Sequence, residues 1–134
     1  MVSVLFVCVK NGGKSQMAGA LMRAHSGGSV ETHTCGTKPG HAINELSQEV
    51  IEELGASMAG EYPKGIDPMI VASVDRVVIL GTEANPDEFA AAKQVEIWDI
   101  DEPSLRGIDG VERMRLVRDD ISTRVRHLYD EVTQ

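Results

Sequence analysis

The sequence predicts an α/β fold, a three-layer sandwich around a four-stranded parallel sheet. Two observations carry that reading. Apolar runs at residues 2–8 (VSVLFVC), Arg76–Leu80 (RVVIL) and Val95–Trp98 (VEIW) are continuous rather than alternating, as parallel strands covered on both faces require. Segments of helical periodicity lie between them, and strand–helix alternation in this order produces parallel crossovers. A single domain over residues 1–134 is expected. The chain is of ordinary domain length, 42% of it is hydrophobic, and no repeat, low-complexity tract or Gly/Ser linker divides it.

The elements follow in order. Residues 2–8 form the first strand. Residues 15–25 are a helix with Met17, Ala18, Leu21 and Met22 on one face. Residues 29–35 are a weaker strand, with β-branched Val30, Thr32 and Thr34 at alternate positions. Asn44 caps a helix reaching Leu54, whose buried face holds Leu46, Val50, Ile51 and Leu54, with Gly55 as the stop. Pro68–Ser73 and residues 86–93 (PDEFAAAK) are short helices on either side of the third strand, Arg76–Leu80. After Val95–Trp98, apolar residues from Val111 through Met114, Val117, Ile121, Val125 and Leu128 to Val132 recur at three- or four-residue steps. They mark one long amphipathic helix.

Charge and composition exclude several functions. Thirteen basic residues against twenty-one acidic ones give a formal charge of −8 with no basic stripe, so neither nucleic acid nor an anionic membrane is an expected partner. Aromatics at 4% make no stacking platform for single strands. No apolar run is long enough to span a bilayer. The N-terminus lacks a basic n-region and a small-residue cleavage site, so a cytoplasmic location is expected. Two cysteines, Cys8 and Cys35, are too few for a disulfide scaffold and suit a reducing compartment. His25, His33, His41 and His127 have no ligand-like spacing, so no metal site is expected. The six methionines are expected on helix core faces, and Trp98 in the core at the end of its strand.

The stretch from Val7 to Gln16 (VCVKNGGKSQ) holds the chemistry. It leaves a buried strand, passes through a glycine-rich loop and enters a helix, the position at which open α/β sheets bind ligands. Gly12 and Gly13 permit positive φ and turn the N–H groups of Val9, Lys10, Asn11, Gly12 and Gly13 inward as a nest for an oxyanion. The helix N-terminus adds unpaired donors and a positive dipole end. A thiol facing such donors is favoured as thiolate, the nucleophilic form. Cys8 is therefore the candidate nucleophile, with Ser15 donating to its sulfur and Lys14 supplying a fixed positive charge. The alternative is a small buried hydrophobe that ends a strand. Gly13-Lys14-Ser15 also ends like a nucleotide-binding loop, but Cys8 stands where the first glycine belongs and no clear metal aspartate ends a later strand.

A second loop, Asp99-Ile100-Asp101-Glu102-Pro103, follows the last strand and in a parallel sheet emerges at the same edge. Asp101 or Glu102 is the candidate acid that protonates a leaving oxygen, the alternative being a solvated acidic turn. Cys35, at the end of the second strand, is either buried and inert or a disulfide partner within roughly 7 Å of Cys8.

Over nearly the whole chain these residues resemble the low-molecular-weight protein tyrosine phosphatase family and its arsenate reductase branch. The family's Cys-x5-Arg-Ser appears as Cys8, five residues, then Lys14-Ser15. Its Ser-Ala-Gly-Thr stretch appears as Thr34-Cys35-Gly36-Thr37, with Pro39-Gly40 following. Its Asp-Pro loop appears as Asp101-Glu102-Pro103. Ser15-Gln16-Met17-Ala18 and the tail Arg115-Leu116-Val117-Arg118-Asp119-Asp120-Ile121 look like the reductase branch.

Two departures bear on activity. Lys14 replaces the family's arginine and offers a point charge instead of a planar fork, which weakens phosphate-monoester catalysis. Glu102 rather than aspartate directly precedes the proline. A third feature concerns reduction. Thioredoxin-coupled members carry two relay cysteines after the third strand, and this chain has none through Val78-Ile79-Leu80-Gly81-Thr82-Glu83-Ala84-Asn85. The resemblance thus implies an arsenate reductase acting as a transferase, with an external thiol resolving the Cys8 adduct. Similar relay-less members use mycothiol with mycoredoxin, and the loop from Cys8 to Ser15 looks like theirs, so mycothiol is the expected thiol; glutathione with glutaredoxin is the equivalent in a host that makes glutathione. No bound cofactor is implied. The rivals are a phosphotyrosine phosphatase and, in a different class, a non-catalytic oxyanion-binding sensor.

Overall fold

Apolar residues fill both faces of the first strand, and each face meets its own layer of helices. The computed structural model describes residues 1–134. Strands β1 (Ser3–Cys8), β2 (Glu31–Gly36), β3 (Arg76–Leu80) and β4 (Val95–Trp98) form one sheet in the order β2-β1-β3-β4. All three pairings are parallel, as expected. The helices are α1 (Lys14–Ser26), α2 (Glu45–Glu52), α3 (Pro68–Ser73) and α4 (Gly110–Val132), with 3-10 turns at Pro86–Phe89 and Pro103–Arg106.

Side chains alternate across a strand, so Val4 and Phe6 face one way and Leu5 and Val7 the other. Val4 and Phe6 join the larger core with Met17, Met22, Val50, Ile51, Val117, Ile121 and Trp98, which brings α1, α2 and α4 onto one face. Leu5 and Val7 join Cys35, Val71, Val74 and Phe89 beneath α3 and the Pro86–Phe89 turn on the other. Both central strands are sealed on both faces, and burying a side chain such as Ile51 contributes about 1.5–3 kcal/mol.

The α2–α4 seam carries an ionic clamp as well. Glu53, just past α2, receives Arg115 Nη2 at 2.6 Å and Arg118 Nη1 at 2.6 Å, and Arg118 also donates to the Val50 carbonyl at 2.9 Å. These two arginines hold the Glu53 carboxyl down at about 2.

Several expectations need correction. β4 is an edge strand with one face bare, so Val95 and Ile97 are 37% and 50% exposed instead of buried. Residues 86–93 make only one 3-10 turn, in which Asn85 caps the Asp87 N–H and Phe89 alone is buried. With a single apolar anchor and no second turn to propagate, a helix there has nothing to stabilise it. Leu54 lies beyond the end of α2, where Gly55 reverses the chain at φ 77°, and is 44% exposed. The Pro103–Arg106 turn is absent from the expected elements. Of the six methionines, Met17, Met22 and Met58 are buried, whereas Met69 is 81% exposed. The carboxyl ends of the strands share one edge, and the Cys8 loop rises from its centre.

Candidate active site

Cys8 ends β1 opposite Gly36 of β2 and is 8% exposed. Two donors meet its sulfur. The Asn11 N–H reaches Sγ at 3.3 Å, and Ser15 Oγ lies 3.0 Å away. Asn11 Nδ2 donates to Ser15 Oγ at 2.7 Å, which occupies a lone pair of the hydroxyl and leaves its proton for the sulfur. The Asn11 carboxamide is itself held, because Oδ1 accepts from the Lys64 N–H at 3.0 Å and from Gln16 Nε2 at 3.2 Å. A buried chain of hydrogen bonds thus runs from the 62–64 segment through Asn11 and Ser15 to Cys8.

The loop is built with its carbonyls outward. Those of Cys8, Val9, Lys10 and Gly12 accept from the N–H groups of Thr37, Lys38, Gly40 and Asn44 at 2.8 to 3.2 Å. The N–H groups of Lys10, Gly12, Gly13, Lys14, Ser15 and Gln16 donate to no group of the protein. Unpaired donors at the start of α1, beside a strand end, make the anion nest that a tetrahedral oxyanion fits.

The expected source of the positive φ is corrected. Asn11 adopts it, at φ 55°, and neither Gly12 nor Gly13 does. The glycines serve close approach instead. A Cβ on Gly12 would stand 2.9 Å from the Ala42 carbonyl oxygen. At Gly36 a Cβ would stand 2.5 Å from the Val9 carbonyl oxygen and 2.9 Å from the Asn11 nitrogen.

Lys14 is the first residue of α1, half-buried, with Nζ 3.8 Å from where a Cβ on Gly81 would stand at the end of β3. It has no carboxylate partner within 4.0 Å, as the ion pairs all involve other residues. Lys14 also lines a cavity of about 690 Å³ whose other walls include Gly12, Gly13, the Lys38–Asn44 loop and Arg113 of α4.

Both candidate acids are paired with arginines. Arg106 grips Asp101 with two hydrogen bonds of 2.8 and 3.0 Å and holds its carboxyl below the usual aspartate range. Arg113 Nε meets Glu102 at 2.7 Å, and this pairing, with help from Ser104, holds the Glu102 carboxyl at about 2. In this state both residues are carboxylates. Glu102 also caps the Pro103–Arg106 turn through the Ser104 N–H.

Cys35 pairs in register with Val7, so its side chain lies on the α3 face while that of Cys8 lies on the other. Both thiols are free. Burial first, and the neighbouring Cys8 second, push the Cys35 thiol up to about 12. Cys35 is buried, and the structure holds no disulfide between it and Cys8. No group of three or more His, Cys, Asp or Glu is arranged to hold a metal ion, and no helix is long and apolar enough to cross a membrane.

Gln16, the last residue of the Val7–Gln16 stretch, is fully buried against Asn11. Two residues outside the sequence motifs complete the site: Lys64 supplies a backbone donor, and Arg113 reaches the acidic loop from α4. Gly36 was legible as part of the Thr34–Thr37 stretch. Lys64, 53 residues from Asn11, carried no sequence signal.

Comparison with known proteins agrees with this geometry. The model of the low molecular weight phosphotyrosine protein phosphatase family matches residues 3–134. A putative arsenate reductase of Halobacterium salinarum is 35% identical, over 94% of this chain and 89% of its own. A glutaredoxin arsenate reductase of Synechocystis sp. is 26% identical, over 99% of this chain and all of its own. A solved arsenate reductase in the phosphate binding state superimposes with a TM-score of 0.84 at 26% identity, covering 98% of each chain. A cysteine at the head of an oxyanion nest, on this sheet and with these relatives, has one family explanation: the chain belongs to the low molecular weight phosphotyrosine protein phosphatase family, on its arsenate reductase side.

Proposed function

We propose that the chain is an arsenate reductase of the transferase kind. The observation that carries the reading is the Cys8 sulfur held by the Asn11 N–H and the Ser15 hydroxyl at the head of a loop of unpaired N–H groups. Arsenate sits on the N–H groups of residues Val9 to Gly13, with the Lys14 charge beside it. Cys8 attacks as thiolate, an S–As bond forms, and one oxygen leaves as water with a proton from Asp101 or Glu102. Either carboxylate must first take up a proton and part from its arginine.

Cys8 is then released by a low-molecular-weight thiol, because the chain has no relay cysteine after β3 and Cys35 lies on the other face of the sheet. Mycothiol with mycoredoxin, or glutathione with glutaredoxin, fills that role. The glutaredoxin named for the Synechocystis relative supports a small-thiol system. Thiol pools of this kind place the reaction in the cytoplasm.

Arsenate-dependent NADPH oxidation in a coupled assay with the mycothiol or the glutathione system tests the reading. Turnover is expected with one of them and is lost in Cys8→Ser. Absence of turnover with both, while Cys8 is demonstrably reduced, refutes it.

The family model favours a second reading, a phosphotyrosine phosphatase. Lys14 separates the two. If arsenate is the substrate, p-nitrophenyl phosphate hydrolysis is slow and rises about tenfold or more in Lys14→Arg, which restores a bidentate fork. Rapid hydrolysis by the wild type, unchanged by the substitution, supports the phosphatase. A non-catalytic sensor predicts that Cys8→Ser retains its cellular role and that no covalent Cys8 adduct forms.

A further inference from the structure

We propose that Asp120 of α4, together with Arg124, is the positioning residue that holds Asp101 in place as the acid of the reaction. The proposal rests on the arsenate reading and chooses between the two carboxylates that reading leaves open. Three side chains of α4 hold the loop after β4. Arg113, Asp120 and Arg124 follow one another at steps of seven and four residues, which puts them on one side of the helix. Beside them Val117, Ile121 and Val125 are buried in the larger core, so that side of α4 is fixed against the sheet.

Asp120 and Arg124 close a ring around one residue of the loop. The Asp101 N–H donates to Asp120 Oδ2 at 2.8 Å, and Arg124 Nε donates to Asp120 Oδ1 at 2.9 Å. Arg124 Nη2 then reaches the Asp99 carbonyl at 2.9 Å. Ile100, between the two tied residues, is buried in the larger core. The backbone is thus held from Asp99 through Asp101, and both peptide contacts are of the stronger, charge-assisted kind. The neighbouring carboxylate takes no part. Asp119 pairs with Arg118, and its side chain is 58% exposed against 22% for Asp120.

The two acidic side chains above this ring are held differently. Asp101 meets Arg106 in an exposed pair, whereas Glu102 is fastened by Arg113 and by Ser104. A fixed backbone under an exchangeable carboxyl suits an acid, which keeps its place while it trades a cation for a proton. Protonated Asp101 gives that proton to the hydroxyl that leaves arsenic as water, while the Cys8 Sγ–As bond forms. Asp101 is left as carboxylate and takes its next proton from solvent, and arsenic keeps oxidation state five. Asp120 touches no substrate and acts through Asp101 alone.

The test is a double-mutant cycle of Asp120→Ala with Asp101→Asn, read as kcat and KM for arsenate and, in parallel, as p-nitrophenyl phosphate hydrolysis. Asp120→Ala alone is expected to lower kcat about tenfold and to change KM for arsenate less than about twofold, because the nest is untouched. In the Asp101→Asn background its further effect on kcat is expected to stay under about twofold. Asp120→Asn keeps an acceptor for the Asp101 N–H and is expected to recover most of kcat. Arg124→Ala, which frees the Asp99 carbonyl, is expected to show the same dependence on Asp101 and serves if Asp120→Ala does not fold. An equal loss of kcat in both backgrounds overturns the proposal, and so does a rise in KM at constant kcat. Unchanged kcat in Asp120→Ala or in Asp101→Asn overturns it too, and none of these results touches the arsenate reading. No arsenate-dependent turnover by the wild type removes that reading alone, and the cycle on p-nitrophenyl phosphate then decides the role of Asp120 by the same outcomes. A wild type that turns over neither substrate overturns both.

Discussion

The surroundings of the Cys8 sulfur are set by residue 11. With φ at 55°, Asn11 aims its own N–H at Sγ, while its carboxamide links the Lys64 N–H to the Ser15 hydroxyl. Asparagine is one of the few residues other than glycine that visits this conformation at low cost. A glycine there would keep the turn and lose the relay to Ser15. The acid belongs to this scale as well. Arg106, the partner of Asp101, sits on an exposed one-turn helix, whereas Glu102 is held by Arg113 and by its own capping bonds to Ser104. Asp101 is thus the readier of the two to exchange its arginine for a proton. Asp101→Asn is expected to lower kcat about a hundredfold, the usual scale of general-acid catalysis. Glu102→Gln is expected to act mainly on stability. Steady-state rates and melting temperatures of the two variants check this, and the reverse order assigns the acid to Glu102.

Elements were legible where burial is complete. β1 and β3 announce themselves as unbroken apolar runs because both their faces are covered, and the helix positions in α4 from Val117 to Leu128 pack as their spacing requires. Legibility failed where a distant partner decides. The nest was legible as a glycine-rich loop, but the assignment of its positive φ depended on contacts to residues 42 and 64, far along the chain. The same long-range logic joins α2 to α4 through Glu53. Its carboxyl is held at about 2 against an ordinary 4.5, so the clamp contributes fully above pH 4.5 and is lost as pH falls through 2. Glu53→Gln is therefore expected to melt at a lower temperature than the wild type at pH 7. The gap should close between about pH 4.5 and 2, as followed by thermal unfolding over that range.

At the scale of the molecule, a parallel sheet brings the ends of its four strands to one edge, and the chain spends that edge on a single sulfur and its donors. The second sulfur lies across the sheet. Cys35 is buried among Leu5, Val7 and Val71, and burial keeps its thiol protonated up to about 12. Cys35→Ser is expected to leave arsenate turnover within about twofold of wild type, and oxidant treatment is expected to yield no intramolecular disulfide, which thiol titration reads directly. The function class was legible because one loop carries most of the chemistry in consecutive residues. The cationic cavity was not, because Lys10, Lys38 and Arg113 converge only in the fold. The decisive measurement is mass spectrometry of reduced protein after incubation with arsenate and either mycothiol or glutathione, run beside Cys8→Ser and Cys35→Ser. An arsenate-dependent thiol–arsenic product is expected with one of the two thiols from the wild type and Cys35→Ser, and none from Cys8→Ser. Product formed by Cys8→Ser, or lost only when Cys35 is replaced, contradicts it.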